Sequence, residues 1–450
     1  MHLPNSVPSR FSGKKRAAVW SEVALRNVAK VEWGNTSITK ASYVARGYTA
    51  FSATGPDGYL PNAQWKGPGI VLSAIGARCG KCFLADGDWT AIKNTIVIQG
   101  NESSINNRFL FYFLNDARRW KIAGSGQPFI TLKTARAVPV PVPPIDQQQR
   151  IVSEIEKQFS RLDAGVASLK RVQAALKRYR TSVLKAACEG RLVPTEAELA
   201  RKEKRNFETG EQLLQRILKE RREKWNGKGK YKEPIRPSVA NMPSLPVGWC
   251  WAGTEQLTAG IDNAMTIGPF GSNLMVKDYR EAGVPLIFVR EIRSENFQRS
   301  DTRYTSQEKA DALATHKVRG GDLVITKMGE PPGDTAIYPE SFPDAIATSD
   351  CIKLTPNRSG TSAAFLKYTI RGQPVEDQIG RITRGVAQKK VSLARFKTVA
   401  IPLPPFAEQL RIVAELERRF TVIEELESVG KANLQRATRL RQSVLAQAFT

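Results

Sequence analysis

Few residues in this chain of 450 residues have the types and spacing that catalysis or metal binding requires. Cys79 and Cys82 form a lone C-x-x-C pair, whereas a zinc site needs a second pair of ligands. The only histidines are His2 and His316. The pattern therefore predicts that both cysteines are buried thiols. It predicts neither a metal site nor histidine-based acid–base catalysis.

Motifs that bind phosphates or cofactors are also missing from the sequence. No G-x-x-x-x-G-K-[ST] loop is present for a nucleotide phosphate, and no G-x-G-x-x-G motif follows a predicted strand. The sequence also lacks the Asn-Pro-Pro-aromatic tetrapeptide that amino-methyltransferases use. We therefore predict that the chain has no catalytic residues and binds no cofactor of its own.

Basic residues are the remaining functional candidates. The net charge is +25 at pH 7, and such an excess of Lys and Arg favours a polyanionic partner because neutralised phosphates release their counterions. A well-solvated basic surface is the alternative explanation. The net charge is +11 in residues 1–143 and +3 in residues 246–404. The first of these segments would therefore supply more of any non-specific phosphate attraction.

Composition and cysteine usage are typical of a globular protein of the cytoplasm. The content of 41% hydrophobic and 25% charged residues is ordinary for such a protein. Five scattered cysteines are too few for a disulfide scaffold and favour a reducing compartment. No segment approaches the ~20 apolar residues of a membrane span. The basic residues 14–16 are not followed by the apolar run of a signal peptide.

An internal repeat organises the chain. The stretch from Pro141 to Phe159 recurs as the stretch from Pro402 to Phe420, at a constant offset of 261 residues. Each copy begins with a proline run, which cannot be helical, and continues into a strongly helical pattern. The chain is therefore best interpreted as one unit written twice, with a globular segment followed by a long helix.

The first long helix is predicted from about residue 146 to Glu189, with Gly190 ending it. Asp146 would serve as the N-cap or the first-turn acid. Residues three and four apart form a heptad seam of mostly apolar positions. The predicted seam consists of Val152, Ile155, Phe159, Leu162, Val166, Leu169, Gln173, Leu176, Arg180 and Val183.

The second long helix repeats this seam but interrupts it at Glu427 and Gly430. Arg441 stands where Arg180 stands in the first copy. A charged residue at a core position is costly unless it is paired. The two arginines therefore fix the register of the helices, receive a partner from another chain, or extend out of the seam into solvent.

The globular segments are predicted to be mixed α/β domains. Strands are expected at 69–75, 94–98, 284–289, 322–326 and 350–354, and a helix is expected at 106–114. The predicted boundaries are 1–143 for the first globular domain, 144–190 for the first long helix, 191–245 for an exposed basic linker with a short helix, 246–404 for the second globular domain and 405–450 for the second long helix.

The predicted fold class follows from this organisation. It is a mixed α/β fold with two globular domains, each followed by a long helix. The two helices would pack as an antiparallel coiled coil, which would give the molecule pseudo-twofold symmetry. On DNA, two such domains on a rigid pair of helices would read two half-sites separated by a fixed gap.

Five motifs in this order resemble the specificity subunit of type I restriction-modification systems. The resemblance extends over essentially the whole chain, with the duplication at the matching spacing. The motifs are Pro143-Pro144-x5-Arg150-Ile151-Val152, the segment from Leu184 to Pro194 (LKAACEGRLVP), Leu245 to Trp249 (LPVGW), Gly268 to Asn273 (GPFGSN) with Gly283-Val284-Pro285, and Pro404 to Gln409 (PPFAEQ).

The resemblance implies two target recognition domains, each reading one half of a bipartite double-stranded DNA site. It also implies that the long helices dock two modification subunits, which carry S-adenosylmethionine and methylate adenine. Restriction subunits with ATP- and Mg-dependent translocase and nuclease activity would join this core. None of that chemistry would belong to this chain, which would be non-catalytic and serve phage defence.

The candidate DNA-binding residues are polar or basic side chains in predicted loops, since base readout needs Arg, Lys, Asn or Gln and phosphates need basic groups. For each of them, a solvated surface position is the alternative. The candidates are Lys66, Arg78, Lys81, Ser125 and Gln127 in the first globular domain, and Ser272, Asn273, Lys277, Arg290, Arg293, Lys327, Gln388, Lys389 and Lys390 in the second.

Two other functions remain open from the sequence. A free-standing DNA methyltransferase would have to bind S-adenosylmethionine by itself. A coiled-coil scaffold for other proteins would show no DNA binding, or only binding without sequence preference that vanishes at moderate salt.

Overall fold

Chain contacts divide the protein into two units. Unit 1 consists of Met1–Arg171 and Gly430–Thr450, and unit 2 consists of Val172–Val429. The structure is a computed structural model that describes residues 20–225, 229–240, 242–329, 331–385 and 389–449. Unit 1 therefore combines a segment from the first part of the sequence with one from its last part.

Unit 1 contains two four-stranded sheets and a two-stranded ribbon. Its strands are β1 (Glu22–Ala24), β2 (Ala29–Trp33), β3 (Tyr48–Ser52), β4 (Gly55–Leu60), β5 (Trp65–Lys66), β6 (Gly69–Ser73), β7 (Cys82–Ala85), β8 (Asp88–Ala91), β9 (Thr95–Gly100) and β10 (Pro139–Pro141). Its helices are α1 (Asn107–Leu114), α2 (Leu132–Arg136) and the first part of α3 (Ile145–Cys188). The sheet orders are β2-β9-β6-β7 and β4-β3-β8-β5, and β1 pairs with β10.

Unit 2 contains the same kinds of elements and a larger number of helices. The helices are α4 (Glu196–Glu203), α5 (Gly210–Glu223), α6 (Val289–Ser294), α7 (Gln307–Ala312), α8 (Ala363–Ile370), α9 (Gln373–Ile382), α10 (Leu393–Phe396) and α11 (Phe406–Ala448), which continues into unit 1. The strands are β11 (Cys250–Gly253), β12 (Met265–Ile267), β13 (Val284–Ile287), β14 (Tyr304–Thr305), β15 (Lys317–Val318), β16 (Leu323–Thr326), β17 (Thr335–Ile337), β18 (Ala345–Ala347), β19 (Cys351–Leu354) and β20 (Ala400–Leu403).

The sheets of the two units have the same topology. The orders in unit 2 are β12-β19-β16-β17 and β14-β13-β18-β15, with β11 paired to β20. In each unit the second sheet contains one parallel pair, β3 with β8 or β13 with β18, among antiparallel neighbours. The predicted mixed α/β fold of two similar domains is confirmed. The duplication therefore includes the sheets, whose sequences show little of it.

The predicted strands and the aromatic helix are present. β6, β9, β13, β16 and β19 lie in the predicted strand regions, and α1 begins one residue after Asn106, whose side chain caps it. Val289, predicted to be in a strand, is the first residue of α6 instead. Phe109 and Phe113 of α1 are buried in the core of unit 1, against the first sheet.

The two long helices begin and end close to the predicted positions. α3 runs from Ile145 to Cys188, and Gly190 after it has a φ of +64°. A Cβ at this glycine would lie 2.5 Å from Cγ of Pro246, so both the backbone conformation and the close packing require glycine. In α3 the ten predicted seam positions are buried or half-buried, whereas most of their neighbours are exposed.

A buried glutamine fastens the start of α3 to the globular part of unit 1. Gln148 is completely buried, and its Oε1 accepts a hydrogen bond of 2.7 Å from the backbone N–H of Asn106, the residue that caps α1. Its Nε2 donates to the carbonyl oxygens of Ser104 at 3.1 Å and Pro143 at 2.8 Å. One amide side chain therefore joins the proline run, the cap of α1 and the first turn of α3.

The equivalent glutamine makes the same three bonds in unit 2. Gln409, 261 residues after Gln148, is also completely buried. Its Oε1 accepts from the backbone N–H of Ser362, the cap of α8, at 3.0 Å. Its Nε2 donates to the carbonyl oxygens of Gly360 and Pro404, both at 3.2 Å. We call this arrangement the glutamine clamp.

The end of α11 completes the core of unit 1. Val444 and Ala448 are buried in the cluster that contains Phe109. The ring of Phe449 packs edge-on against the rings of Phe109 and Phe113, with centroid distances of 5.3 and 5.4 Å. The core of this unit is therefore formed by residues from the two ends of the sequence.

Arg441 has its partners on the other long helix. In unit 1 the guanidinium carbon of Arg441 lies 4.2 Å from the centroid of the Phe159 ring. Its Nη1 donates to Oδ1 of Asp163 at 2.8 Å. Because the pair is half-exposed, the ion pair and the cation–π contact contribute only ~1 kcal/mol together.

Arg180 makes the same contacts in unit 2 with the roles of the helices exchanged. Its guanidinium carbon lies 4.7 Å from the centroid of the Phe420 ring, and its Nη2 donates to Oε1 of Glu424 at 3.4 Å. Phe420 and Glu424 are the repeats of Phe159 and Asp163. The partner of each arginine is thus in the same chain, which supports a role in helix register. The helices are antiparallel, as predicted, because Phe159 faces Arg441 whereas Arg180 faces Phe420.

The segment between α3 and β11 differs from the prediction of an exposed linker with a short helix. It contains two helices, and Leu213 and Ile217 of α5 are completely buried in the core of unit 2. The side chain of Glu408 on α11 accepts bonds from the backbone N–H of Glu196 at 2.7 Å and from the indole of Trp249 at 3.0 Å. The predicted short helix corresponds to α5, which packs into unit 2 and does not lie in an exposed linker.

None of the described helices is both long enough and apolar enough to span a bilayer.

The glutamine clamp predicts a specific loss of stability. Gln148→Leu leaves the N–H of Asn106 and two carbonyl oxygens without partners in a buried site, which costs roughly 2–4 kcal/mol of unfolding free energy. Urea unfolding followed by circular dichroism measures this loss. Gln149→Leu is the matched control, because Gln149 is exposed. Equal midpoints for the two variants would contradict the assigned role.

Candidate nucleic-acid interface

Four of the five candidates in unit 1 lie in two adjacent loops. Arg78 and Lys81 are exposed on the turn that follows β6, and Ser125 and Gln127 are exposed on the loop between Ala123 and Phe129. The backbone N–H of Gly76 donates to the carbonyl oxygen of Pro128 at 2.9 Å, so the loops are held side by side. The structure thus brings together residues that are almost fifty positions apart in the sequence.

The remaining candidate in unit 1 lies on a different element. Lys66 is exposed at the end of β5, at the edge of the second sheet, and its carbonyl oxygen accepts from Nε2 of Gln99 at 3.0 Å. Arg78 is partly committed, because its Nη1 donates to the carbonyl oxygen of Thr54 at 2.8 Å. Among the residues that the structure describes, its other side-chain donors and the ammonium group of Lys81 have no partner, so an anion could bind them.

A basic depression of about 850 Å³ lies beside these loops in unit 1. Its lining includes Arg78, Lys81, Arg441, Tyr112 and Asn115. The C-x-x-C pair is next to it. Cys82 is buried, as predicted, and burial raises the pKa of its thiol; Cys79 is half-buried and donates to the carbonyl oxygen of Ala74. Among the residues that the structure describes, no group of three His, Cys, Asp or Glu could hold a metal ion.

Unit 2 repeats the hairpin loop. Arg384 and Lys390 form the same isolated antiparallel bridge as Ala123 and Phe129, at the offset of 261 residues. Lys390 also bridges Met328, as Phe129 bridges Ile75. The side chains of Lys389 and Lys390 are exposed on this hairpin. Gln388, which was predicted with them, lies outside the described residues.

Three further candidates lie on the segment after β12. Ser272, Asn273 and Lys277 are exposed on two short turns between Gly271 and Asp278. Phe270 lies on the same segment, and Nζ of Lys327 is 4.5 Å from the centroid of its ring. This contact joins the segment to the hairpin, because the backbone carbonyl of Lys327 accepts from the N–H of Val391 at 3.0 Å.

Lys327 itself is largely buried. Its side chain donates to the carbonyl oxygen of Ser349 at 3.1 Å. Burial lowers the pKa of its ammonium group, Asp350 opposes this shift, and the positive charge of Lys390 adds to it. The amine therefore supports the ring of Phe270 and contributes positive potential from beneath the surface.

Arg290 and Arg293 have carboxylate partners within unit 2. Nε of Arg290 donates to Glu291 at 2.8 Å, and its Nη2 donates to the carbonyl oxygen of Asp301 at 2.8 Å. Nε of Arg293 donates to Asp334 at 2.9 Å. Any anion would have to compete with these contacts. The assignment of the fourteen candidates to DNA binding stays a prediction.

Two residues of this surface escaped the sequence analysis. Arg384 is exposed and opens the unit 2 hairpin; its position at the repeat offset from Ala123 was the available signal. Phe270 is 56% exposed, and nothing in the sequence distinguishes an exposed phenylalanine from a buried one.

The chain matches the family model of the type I restriction modification DNA specificity domain over residues 18–178 and 290–435. The matched residues include both hairpin segments, both glutamine clamps and most of each long helix. Because it extends over more than half of the sequence, the chain belongs to this family.

Curated relatives from Escherichia coli carry corresponding names. The chain is 23% identical to the specificity subunit of the type I restriction enzyme EcoBI over 95% of this chain and 78% of that protein. It is 22% identical to the EcoDI specificity subunit over 98% of this chain and 90% of that protein. Both relatives therefore match through both halves of the duplication.

Solved structures share the fold. A chain from work on complex assembly and conformational transition of the type I R-M system has a TM-score of 0.62 at 19% identity, covering 97% of this chain and 98% of that one. The HsdS subunit from Thermoanaerobacter tengcongensis has a TM-score of 0.50 at 19% identity with the same coverage. At this level of identity the similarity concerns the fold.

Proposed function

We propose that this chain is the sequence-specific DNA-recognition subunit of a type I restriction-modification complex and reads a bipartite double-stranded site. One observation carries the proposal: two units of identical sheet topology each present a hairpin loop beside a second polar loop. Each is fastened by a glutamine clamp to a long helix. A protein built this way has two similar surfaces for two half-sites.

Residues 1–143 and 246–404 would be the two target recognition domains, and 144–190 and 405–450 would be the helices that separate them. Residues 191–245 would connect the repeats. The two domains differ most in charge, so we expect the first to bind phosphates less selectively than the second.

The exposed candidates divide into two groups by chemistry. Lys66, Arg78, Lys81, Lys277, Lys389 and Lys390 would neutralise phosphates, and Ser125, Gln127, Ser272, Asn273 and Gln388 could bond to base edges or to the sugar-phosphate backbone. Arg290, Arg293 and Lys327 would act through the positive potential of the surface and by positioning their neighbours.

The chemistry of the complex would reside on other chains. We propose that two modification subunits carry S-adenosylmethionine and methylate adenine, and that restriction subunits carry the ATP- and Mg-dependent activities. This chain would be non-catalytic, bind no cofactor and act in the cytoplasm. The names of its relatives as specificity subunits, and the solved chain from work on type I complex assembly, support this division.

Mapping methylated adenines in the host genome tests the proposal. We expect them to fall in one asymmetric motif of two short blocks separated by a fixed number of unspecified base pairs. The chain with its modification subunits should then prefer that duplex to random DNA by at least ~10³-fold. Lack of preference for any bipartite duplex would refute the function. Binding of S-adenosylmethionine by the isolated chain would favour a free-standing methyltransferase instead.

Removing the unit 2 hairpin charges should change the salt dependence of binding. For Lys389→Ala with Lys390→Ala, we expect the slope of log affinity against log salt to become shallower by about 2, since each lost phosphate contact removes about 0.9. Fluorescence anisotropy on a labelled duplex measures this slope. Lys230→Ala with Lys232→Ala removes the same charge from exposed positions of the connecting segment. Equal slopes for both variants would remove the hairpin from the interface.

Helix length should determine the gap between half-sites. Deleting 166–172 from α3 together with 430–436 from α11 removes one heptad from each helix and keeps the contacts of Arg180 and Arg441 with Phe420 and Phe159. We expect the mapped motif to keep both half-sites with a shorter gap. The deletion of 166–172 alone mismatches the two helices and serves as the control for register. An altered half-site in the double deletion would contradict the proposal.

A further inference from the structure

An exposed apolar patch interrupts the basic surface of unit 2. On the segment after β12, the side chain of Phe270 is 56% exposed, Met275 is 36% exposed and Val276 is 79% exposed. These three residues lie within one segment of seven residues. Exposed apolar patches on a protein surface mark sites of contact with a partner. The proposed phosphate and base contacts do not use them.

The equivalent segment of unit 1 has no phenylalanine at the position of Phe270. Gly34 follows β2 as Gly268 follows β12, and both approach a neighbouring strand closely. A Cβ would lie 2.6 Å from the carbonyl oxygen of Ile92 in the first case and 2.0 Å from the carbonyl carbon of Thr348 in the second. With these glycines aligned, Thr36 occupies the position of Phe270. Of the two equivalent positions, the one in unit 2 therefore carries the exposed phenylalanine.

Hydrogen bonds hold the segment in place. Nδ1 of His316 lies 2.6 Å from the carbonyl oxygen of Ile267 at its start, and the backbone N–H of Asn273 donates to the carbonyl oxygen of Phe270 at 3.2 Å. The backbone N–H of Met275 donates to Oδ2 of Asp278 at 2.8 Å. The apolar side chains are thus presented by a turn with its own internal bonds.

The surroundings of Phe270 favour a nucleic acid over an apolar protein groove. The ammonium of Lys327 packs against its ring, and Lys277 is exposed beyond Val276. The hairpin with Lys389 and Lys390 is joined to Lys327 through the backbone of Val391. Ser272 and Asn273 follow Phe270 in the sequence and are exposed. An apolar tip surrounded by cations and amide groups complements stacked bases flanked by phosphates.

We propose that the Phe270 side chain inserts between two adjacent base pairs of the half-site read by unit 2. The proposal rests on the DNA-recognition function above. Insertion separates one base step, and the ring replaces part of the lost stacking while Lys327 holds it from behind. Recognition of this half-site would then also depend on how easily its DNA deforms, because pyrimidine–purine steps open most readily. Unit 1, with Thr36 at this position, leaves its half-site stacked.

A fluorescent base tests the insertion directly. The full chain with its modification subunits is bound to duplexes of the mapped site that carry 2-aminopurine at one position at a time, outside the methylated adenines. We expect the fluorescence to rise at two adjacent positions in one half-site only. Extrusion of the target adenines by the modification subunits would instead affect both half-sites.

Variants of Phe270 separate insertion from other roles. With Phe270→Ala we expect loss of the fluorescence rise and roughly tenfold weaker binding. The slope of log affinity against log salt should be unchanged, since no charge is removed. Phe270→Leu should retain part of both effects. Val247→Ala, at a valine that is 73% exposed elsewhere in unit 2, is the matched control and should change nothing.

Two results would overturn the insertion while leaving recognition intact. One is normal fluorescence and affinity for Phe270→Ala with the preference for the bipartite site preserved. The other is that the Phe270→Ala chain loses its modification subunits on purification but still gives the rise in 2-aminopurine fluorescence. Phe270 would then contact a protein. If the unaltered complex preferred no bipartite duplex, the failure would belong to the proposed function.

Discussion

The buried amide at the base of each long helix is the interaction on which the rest of the structure depends. A globular domain and a helix of more than forty residues meet at a proline run, where the backbone has lost donors and the helix start has unpaired groups. Gln148 and Gln409 each pair three buried backbone groups at this junction: the N–H of the residue that caps the neighbouring helix, a carbonyl oxygen just before that cap, and a carbonyl oxygen of the proline run. Orientation of each domain on its helix follows from one side chain that cannot turn without leaving buried polar groups unpaired.

The helix pair uses a second repeated device of lower strength. Arg180 and Arg441 each lie over a phenylalanine and beside a carboxylate of the opposite helix. Exposed pairs of this kind add little stability, and their effect is to make one register better than its neighbours. The glutamine clamps hold each helix start strongly, whereas the arginine contacts along the helices add little stability. The domain surfaces can therefore change while the framework is kept.

Periodicity and repetition made much of this molecule predictable from sequence. The seam of α3, its end at Gly190 and the repeat of the proline run with its long helix all follow from spacing that can be counted. The predictions failed where partners from distant sequence decide the outcome. Leu213 and Ile217 of α5 fill the core of unit 2 although their surroundings are highly charged. The pairing of Arg293 with Asp334 and the exposure of Phe270 depend on tertiary contacts with no local pattern.

Unit 1 is built from two separate segments of the sequence, and this affects its folding during synthesis on the ribosome. Its core includes Val444 and Ala448, and Phe449 packs on Phe109 and Phe113. These residues are translated about 270 positions after the rest of the unit, a delay on the order of tens of seconds at ordinary bacterial rates. Unit 2 is continuous in the sequence and needs no such wait. The first domain to be made is therefore completed only after unit 2 has been translated, and the apolar face of α1 stays uncovered until Val444, Ala448 and Phe449 emerge.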